Sequence, residues 1–206
     1  MAQAPAIDKR RMILDAAIRV FARQGFHRCR VSDIADEAGV AYGLVYHYFN
    51  SKDQVLNELF TERWSLLLAA TEEVDAQDIP AREKLAAVAS FIVQSYRHEP
   101  ELMKVIIVEV TRAANSFGRT HLPEIRRAYD MIAKIVADGQ ARGEFRSDVD
   151  PEFAAMWFYG AIEQLLSGWV FDLIPAGESD FDHATEMVVE TICGGLDAQR
   201  ADGSDR

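Results

Sequence analysis

Residues 31–52 of this 206-residue chain read VSDIADEAGVAYGLVYHYFNSK, and they predict two short helices joined by a tight turn. Ala35 places a small side chain where two crossing helices come closest, and Gly39 tolerates the positive φ that the turn requires. An apolar seam at helical spacing packs the second helix across the first, and it consists of Ile34, Ala38, Val40 and Val45. The stretch therefore predicts a helix-turn-helix, in which the outer face of the second helix stays free.

The second helix of this motif carries an unusual set of side chains on its outer face. These positions are Tyr42, Gly43, Leu44, Tyr46, His47 and Tyr48. A surface helix with no further role usually carries glutamate and lysine there. Tyrosine and histidine suit phosphates, thymine methyl groups and base edges, so the composition of this face predicts that the helix enters a major groove of double-stranded DNA.

Charge is distributed unevenly along the chain. The formal net charge is −11, which taken alone disfavours a nucleic-acid partner. Residues 1–52, however, carry eight Lys and Arg against five Asp and Glu, whereas residues 53–206 carry fourteen against twenty-eight. A basic head on an acidic body is typical of a protein that touches DNA at one end only.

Composition disfavours several other classes of protein. No apolar run reaches the roughly eighteen residues of a membrane span, and the N-terminal MAQAPAIDKRR lacks the apolar stretch of a signal peptide, so we expect a cytoplasmic protein without a membrane partner. Cys29 and Cys193 lie far apart and the histidines show no metal-ligand spacing, so we expect neither a metal nor a cofactor. With no GxSxG or phosphate-loop pattern in the sequence, we expect no enzyme activity.

Helical periodicity continues through the rest of the chain, with proline and glycine between the helical segments. We predict an all-α fold of about nine helices, in which an N-terminal three-helix helix-turn-helix DNA-binding domain (residues 1–52) precedes a C-terminal helical ligand-binding and dimerisation domain (residues 53–206). Ser51 is expected to cap a long fourth helix, and Pro151 is expected to open the eighth.

The head of the chain resembles the DNA-binding domain of the TetR family of transcriptional repressors. The resemblance rests on Ile13-Leu14-Asp15-Ala16-Ala17, Phe21, Gly25-Phe26, Ile34-Ala35, Ala38-Gly39-Val40, Gly43, Val45-Tyr46, Tyr48-Phe49 and Ser51-Lys52. Two positions depart from the family pattern. Arg30 stands where a threonine commonly precedes the second helix, so we expect Ser32 to cap that helix, and Leu44 replaces a small hydroxyl residue on the recognition helix.

The resemblance implies which residues contact DNA. Tyr42, Gly43 and His47 would face bases, whereas Tyr46 and Tyr48 would bind phosphates, although the ring of Tyr46 is also compatible with a partly buried position. Lys52 and Ser32 would each contact a phosphate, and two arginines before the second helix would add electrostatic attraction. The full predicted set is Arg28, Arg30, Ser32, Tyr42, Gly43, Leu44, Tyr46, His47, Tyr48 and Lys52.

The eighth and ninth helices are more apolar than one face of a surface helix requires, which indicates a contact with a second copy of the chain. TetR relatives commonly build a four-helix interface from these two helices. The predicted dimer residues are Phe153, Trp157, Gly160, Gly168, Trp169, Met187, Thr191 and Gly195. The alternative is that these side chains all fill the core of a single subunit.

The fourth to eighth helices supply many large apolar residues, which together predict an interior able to hold a small hydrophobic effector. The predicted pocket residues are Trp64, Leu67, Leu68, Phe91, Met103, Ile107, Glu109, Arg112, Arg126, Met131, Ile135, Phe158, Ile162 and Glu163. Each apolar member is equally compatible with core packing. The carboxylates require a partner if buried, and that partner is either an internal arginine or a ligand.

Two further features concern the class of effector. Residues 139–169, GQARGEFRSDVDPEFAAMWFYGAIEQLLSGW, are similar to the end of effector domains in TetR regulators of fatty-acid degradation. A basic cluster is suited to the phosphates of a coenzyme A thioester, but equally to a solvated loop with ordinary ion pairs, and it consists of Arg112, Arg119, His121, Arg126 and Arg127.

These features favour a ligand-responsive repressor that binds a palindromic operator as a homodimer and is released by a small hydrophobic effector, with a long-chain acyl-CoA as the first candidate. The alternative is a DNA-bound architectural or cell-division protein on the same fold, which would bind many genomic sites and contact a protein partner. An effector in the purified protein, or a small number of genomic sites, would distinguish the first hypothesis from the second.

Overall fold

The computed structural model describes residues 8–110, 121–175 and 177–197, and every regular element among these residues is an α-helix. The described helices are α1 (Lys9–Gln24), α2 (Val31–Ala38), α3 (Tyr42–Tyr48), α4 (Lys52–Asp75), α5 (Ala81–His98), α6 (Pro100–Val110), α7 (Leu122–Ala141), α8 (Pro151–Val170) and α9 (Glu178–Leu196). The prediction of an all-α fold with about nine helices is therefore confirmed. Among the described residues, no helix is long and apolar enough to cross a membrane.

The described residues form two compact units. The first comprises residues 8–63 and 99–110, and the second comprises the remaining described residues, from residue 64 to 98 and from residue 121 onward. Helix α4 contributes residues to both units, and α6 belongs to the first. The functional division that we place at residue 52 stays a prediction.

The first helix, α1, is defined by a cap at each end and by an apolar face. The carboxylate of Asp8 accepts hydrogen bonds from the backbone N–H groups of Arg10 (3.0 Å) and Arg11 (3.3 Å). Gly25 ends the helix with a φ of +80°, a backbone conformation that residues other than glycine rarely adopt. The buried face consists of Ile13, Leu14, Ala16, Ala17, Ile18, Val20 and Phe21. This face supplies much of the core of the first unit.

The start of α2 differs from the prediction. Ser32 does not cap the helix, because α2 begins at Val31 and Ser32 already lies in its first turn. The carboxylate of Asp33 instead accepts a hydrogen bond from the backbone N–H of Arg30 (2.8 Å) and another from the Gln24 side chain (3.0 Å). Asp33 therefore secures the start of α2 from within the first turn and connects it to the end of α1.

Helices α4 and α8 begin where the sequence predicted, and α8 lies in the second unit. Ser51 Oγ accepts a hydrogen bond from the Gln54 N–H (3.1 Å) and caps α4, as expected. The carboxylate of Asp150 caps α8 in the same way, and Pro151 occupies the first helical position. Within the unit, α7 packs against α8 and α5 packs against α9. A buried lysine, Lys84, donates to the backbone carbonyl of Asp75 at the end of α4 (2.5 Å).

Candidate nucleic-acid interface and effector region

The inner side of the helix-turn-helix is tightly packed. Gly39 adopts the left-handed conformation (φ 63°, ψ 34°), and the Val40 N–H donates to the Ala35 carbonyl (3.0 Å), which closes the turn after α2. Val45 is buried within the first unit, as its place in the apolar seam predicted, and Phe49 is buried beside the end of α3. This packing fixes the orientation of α3, so that one face of the helix points consistently to solvent.

Two tyrosines dominate the solvent-facing side of α3. Tyr42 is 53% exposed and Tyr46 is 43% exposed, so Tyr46 is not a core residue. The Tyr42 hydroxyl donates to the Tyr46 hydroxyl (3.1 Å), and the two rings meet edge to face with their centroids 5.1 Å apart. This hydrogen bond raises the pKa of Tyr42, so its hydroxyl remains neutral.

The remaining predicted contact residues of α3 lie beside this pair. His47 is exposed and meets the half-buried Tyr48 edge to face, with the ring centroids 5.1 Å apart. Gly43 is exposed, and a Cβ atom added to it would meet no atom within 4 Å. Leu44 is half-buried. The space above Gly43 is thus open to a closely approaching ligand, and nothing in the protein itself requires glycine at this position.

The basic residues before α2 differ in how firmly they are held. Arg28 Nε donates to the Gln24 carbonyl (3.0 Å), whereas Arg30 extends to solvent beside the half-buried Ser32. Two other arginines, Arg19 and Arg23, both bind Glu37 at 2.7 and 3.0 Å and lower the pKa of its carboxyl group. These bonds join α1 to α2, and residues so far apart in sequence gave no signal of the pairing.

The side chain of Lys52 has three partners within the first unit. Its ammonium group donates to the backbone carbonyls of Phe26 (2.8 Å), His27 (3.3 Å) and Cys29 (3.0 Å). It also lies 4.5 Å from the centroid of the Phe26 ring, where it gains a cation–π attraction. Lys52 therefore fastens the first residue of α4 to the loop between α1 and α2, and its contact with a phosphate stays a prediction.

Replacing Lys52 by methionine is expected to lower the free energy of unfolding by about 2 kcal/mol, because three carbonyl groups lose a charged donor. Urea unfolding of the DNA-free protein measures the change. Arg30→Met is the matched control, since Arg30 is exposed and its replacement should leave stability unchanged while weakening DNA binding. Equal stability of wild type and Lys52→Met would contradict a structural role for this lysine.

The predicted pocket residues fall into both units. In the second unit, the buried members are Trp64, Leu67, Leu68, Ile135, Phe158 and Ile162, while the half-buried ones are Phe91, Met131 and Glu163. Met103 and Ile107 are buried in the first unit. Arg112 lies outside the described residues, as does the side chain of Glu109. The role of the whole predicted set as the wall of a pocket stays a prediction.

Trp64 belongs to an aromatic cluster that the sequence did not reveal. Its indole N–H donates to the Glu124 carbonyl (3.0 Å), and its ring centroid lies 6.2 Å from that of Tyr159. Tyr159 in turn meets Tyr129 at 5.3 Å. Burial, together with the negative charge of Glu163, raises the pKa of Tyr129, so its hydroxyl is neutral. The cluster places two phenol groups within a largely apolar region.

The described members of the basic cluster have separate environments. His121 is buried, and burial lowers its pKa, so the ring is neutral at physiological pH. Arg127 forms an ion pair with Glu72 of α4. Arg126 is exposed, and Arg119 lies outside the described residues. Arg127 thus follows the simpler alternative of an ordinary ion pair.

The predicted dimer residues divide into an exposed and a buried group. Phe153, Trp157 and Met187 are between 50% and 58% exposed. Thr191 and Gly195 are exposed as well, and a Cβ atom at Gly160 or Gly195 would meet nothing within 4 Å. These residues present an apolar surface on α8 and α9.

Gly168 and Trp169 form the buried group. The Trp169 ring stacks on Tyr96 at 5.4 Å and meets Phe181 at 4.8 Å, and its indole N–H donates to the Pro175 carbonyl (2.9 Å). A Cβ atom on Gly168 would lie 2.9 Å from the Ile174 side chain. Both residues serve the core of their own subunit, so the position that we predicted for them in the dimer interface is not supported by their burial.

Comparison with known proteins defines the class to which this architecture belongs. Residues 13–59 match the family described as "Bacterial regulatory proteins, tetR family", and residues 82–192 match the family described as "Tetracyclin repressor-like, C-terminal domain". These matches, together with the exposed recognition helix of the helix-turn-helix, define a DNA-binding transcriptional regulator. The chain belongs to the TetR family and binds operator DNA as a homodimer.

Individual relatives are similar over most of the chain. The fatty acid metabolism regulator protein of Bacillus subtilis (strain 168) is 32% identical over 173 residues, which cover 81% of this chain and 89% of that protein. The HTH-type transcriptional repressor KstR2 of Mycolicibacterium smegmatis is 27% identical over 202 residues, which cover 94% and 93%. The structure of FadR from Bacillus subtilis in complex with stearoyl-CoA has a TM-score of 0.80 and 27% identity, covering 90% of this chain and 98% of that one.

Proposed function

We propose that this protein is a ligand-responsive transcriptional repressor that binds a palindromic operator as a homodimer and is released by a long-chain acyl-CoA. One observation carries the choice of effector: the FadR structure that resembles this chain over 90% of its length contains stearoyl-CoA. The buried apolar side chains of the second unit, among them Phe158 and Ile162, supply the type of lining that an acyl chain requires.

The proposed release depends on the spacing of the two recognition helices in the dimer. These helices must reach successive major grooves about 34 Å apart, so a change of a few ångströms prevents simultaneous binding. Helix α4 contributes residues to both units and follows the helix-turn-helix directly. An effector that binds a conformation with a different spacing more tightly than the operator-bound one therefore releases the DNA.

The relatives favour this proposal over the other two classes considered. The fatty acid metabolism regulator and KstR2 are regulators of transcription, and neither is described as an architectural protein or an enzyme. We infer that this chain has no enzymatic activity and that its acidic body serves regulation and dimerisation.

The direct test is fluorescence anisotropy of the protein on labelled DNA from upstream of its own gene. We expect stearoyl-CoA to raise the apparent Kd for this DNA by at least about tenfold, which corresponds to a coupling free energy of about 1.4 kcal/mol. Stearate and free coenzyme A, added separately, should have little effect, because each lacks half of the ligand. Binding that none of the three compounds disturbs would contradict the acyl-CoA proposal and leave the DNA-binding assignment intact.

A further inference from the structure

Tyr42 and Tyr46 form a hydrogen-bonded pair on the exposed side of the recognition helix α3. Their hydroxyl oxygens lie 3.1 Å apart, and their rings meet edge to face. The two residues are four positions apart, which places both side chains on one face of the helix. Both remain exposed, so this Tyr42–Tyr46 pair is a polar unit that the free protein already presents to a bound ligand.

The position of each tyrosine along α3 indicates which part of the DNA its hydroxyl meets. Tyr42 is the first residue of α3, and the N-terminal residues of a recognition helix contact base edges in the major groove. Tyr46 lies about 6 Å further along the helix axis, nearer the phosphates that border the groove. Tyrosine hydroxyls are common ligands of these phosphates. We therefore expect Tyr42 to face a base and Tyr46 to face a phosphate.

The hydrogen bond within the pair determines what the Tyr42 hydroxyl can do. Phosphate oxygens only accept hydrogen bonds, so Tyr46 must donate its single proton to the phosphate. The bond between the two hydroxyls then has to use the proton of Tyr42, and this is the direction observed, with Tyr42 as the donor. The same bond raises the pKa of Tyr42, which keeps that proton in place. The Tyr42 oxygen therefore faces the bases as an acceptor only.

An acceptor in the major groove recognises an exocyclic amino group. Adenine and cytosine each present such a donor there, whereas the polar groups of guanine and thymine on this edge only accept. The exposed ring of Tyr42 favours adenine over cytosine, because the thymine paired with adenine carries a methyl group that an apolar side chain can contact. An A·T pair thus satisfies both the oxygen and the ring of Tyr42.

We propose that the Tyr42–Tyr46 pair determines the specificity of the protein for an adenine in each half-site of its operator. The Tyr42 oxygen accepts a hydrogen bond from the adenine amino group, while Tyr46 donates to a neighbouring phosphate. Tyr46 is also a positioning residue, since its bond to Tyr42 holds the Tyr42 proton away from the bases. Guanine or thymine in place of this adenine would set an acceptor against an acceptor, which excludes the wrong base. The homodimer makes the contact twice.

Substitution of adenine by 2-aminopurine tests the contact, because it moves the amino group to the minor groove and keeps the pairing with thymine. Each adenine of the DNA from upstream of the gene is replaced in turn in both half-sites, and fluorescence anisotropy gives the Kd. At one adenine per half-site, the wild type should lose affinity at least about tenfold. Tyr42→Phe keeps the ring, and it should bind the unmodified DNA at least about tenfold more weakly and lose less than about twofold more at that adenine. Equal losses for wild type and Tyr42→Phe at every adenine would overturn the proposal.

The Tyr46→Phe variant tests the positioning role, because it removes the acceptor of the Tyr42 proton and lets Tyr42 turn that proton toward the bases. Affinity for unmodified DNA should fall at least about fivefold with an unchanged salt dependence, since a neutral hydroxyl neutralises no phosphate. The penalty for 2-aminopurine should shrink to less than about threefold. A full penalty in Tyr46→Phe would refute the positioning role.

Controls separate this contact from folding and from the proposed effector. Tyr96→Phe, on α5 in the second unit, should keep the operator affinity and the 2-aminopurine penalty of the wild type. Urea unfolding should show Tyr42→Phe and Tyr46→Phe to be as stable as the wild type, because the bond they lose joins exposed hydroxyls. The proposal rests on operator binding and not on acyl-CoA. Failure to bind the unmodified DNA would contradict both, whereas tight binding without an adenine-specific penalty would contradict this proposal alone.

Discussion

Gly43→Ala is expected to stabilise the free protein and to weaken operator binding at the same time. A methyl group on Gly43 meets no protein atom within 4 Å, and alanine is the better helix former, so the free energy of unfolding should rise by up to about 1 kcal/mol. On the operator, the same methyl group occupies the space into which we predict that DNA backbone or bases approach. The dimer presents two recognition helices, so the penalty counts twice, and we expect affinity to fall at least about 30-fold.

The expected gain in stability and loss of operator affinity together distinguish a lost DNA contact from unfolding. A variant that lost DNA binding by unfolding would lose stability as well, whereas Gly43→Ala should gain it. Urea unfolding and fluorescence anisotropy on the operator measure the two quantities on the same preparation. Ser65→Ala, on the exposed side of α4, is the control for helix propensity, and it should keep full operator affinity. Full affinity in Gly43→Ala would mean that the DNA does not approach this part of α3 closely.

The parts of this fold that the sequence predicted are those determined within a few residues. Gly39 closes its turn, Ser51 caps α4 and Asp150 caps α8, because each acts on backbone groups no more than four positions away. The cap of α2 shows the limit of such reasoning. Ser32 is a favourable capping residue in isolation, but Asp33 accepts from both the Arg30 N–H and a side chain of α1, and the helix begins two residues earlier than a Ser32 cap would place it.

Contacts between residues far apart in the chain could not be predicted from the sequence. Lys52 is expected to reach DNA from its place in the motif, yet its ammonium group binds carbonyls more than twenty residues earlier, in the loop between α1 and α2. Trp169 illustrates a different limit. Its helical spacing identifies it as apolar-facing, but spacing does not tell whether the face is that of the same subunit or of a partner. Only the stacking on Tyr96 and Phe181 resolves the question.

Ile162→Trp is expected to give a repressor that still binds its operator and no longer responds to stearoyl-CoA. Ile162 is 1% exposed and lies one turn after the fully buried Phe158 on α8. If these residues line a cavity for an acyl chain, the larger indole occupies that space in the absence of ligand, and the stearoyl-CoA concentration for half-release should rise at least about 30-fold. Operator affinity should remain that of the wild type, because the helix-turn-helix is unchanged.

Stability distinguishes a cavity from solid packing at this position. Filling a preformed cavity should leave Tm within a few degrees of wild type, whereas overpacking a filled core costs about 1–3 kcal/mol. Leu166→Trp, a buried residue one turn further along α8 that we do not place in the pocket, is the control and should show that larger loss. A large drop in Tm for Ile162→Trp, or an unchanged response to stearoyl-CoA, would place the effector away from this side of α8, and the aromatic cluster around Tyr129 and Tyr159 would become the next position to block.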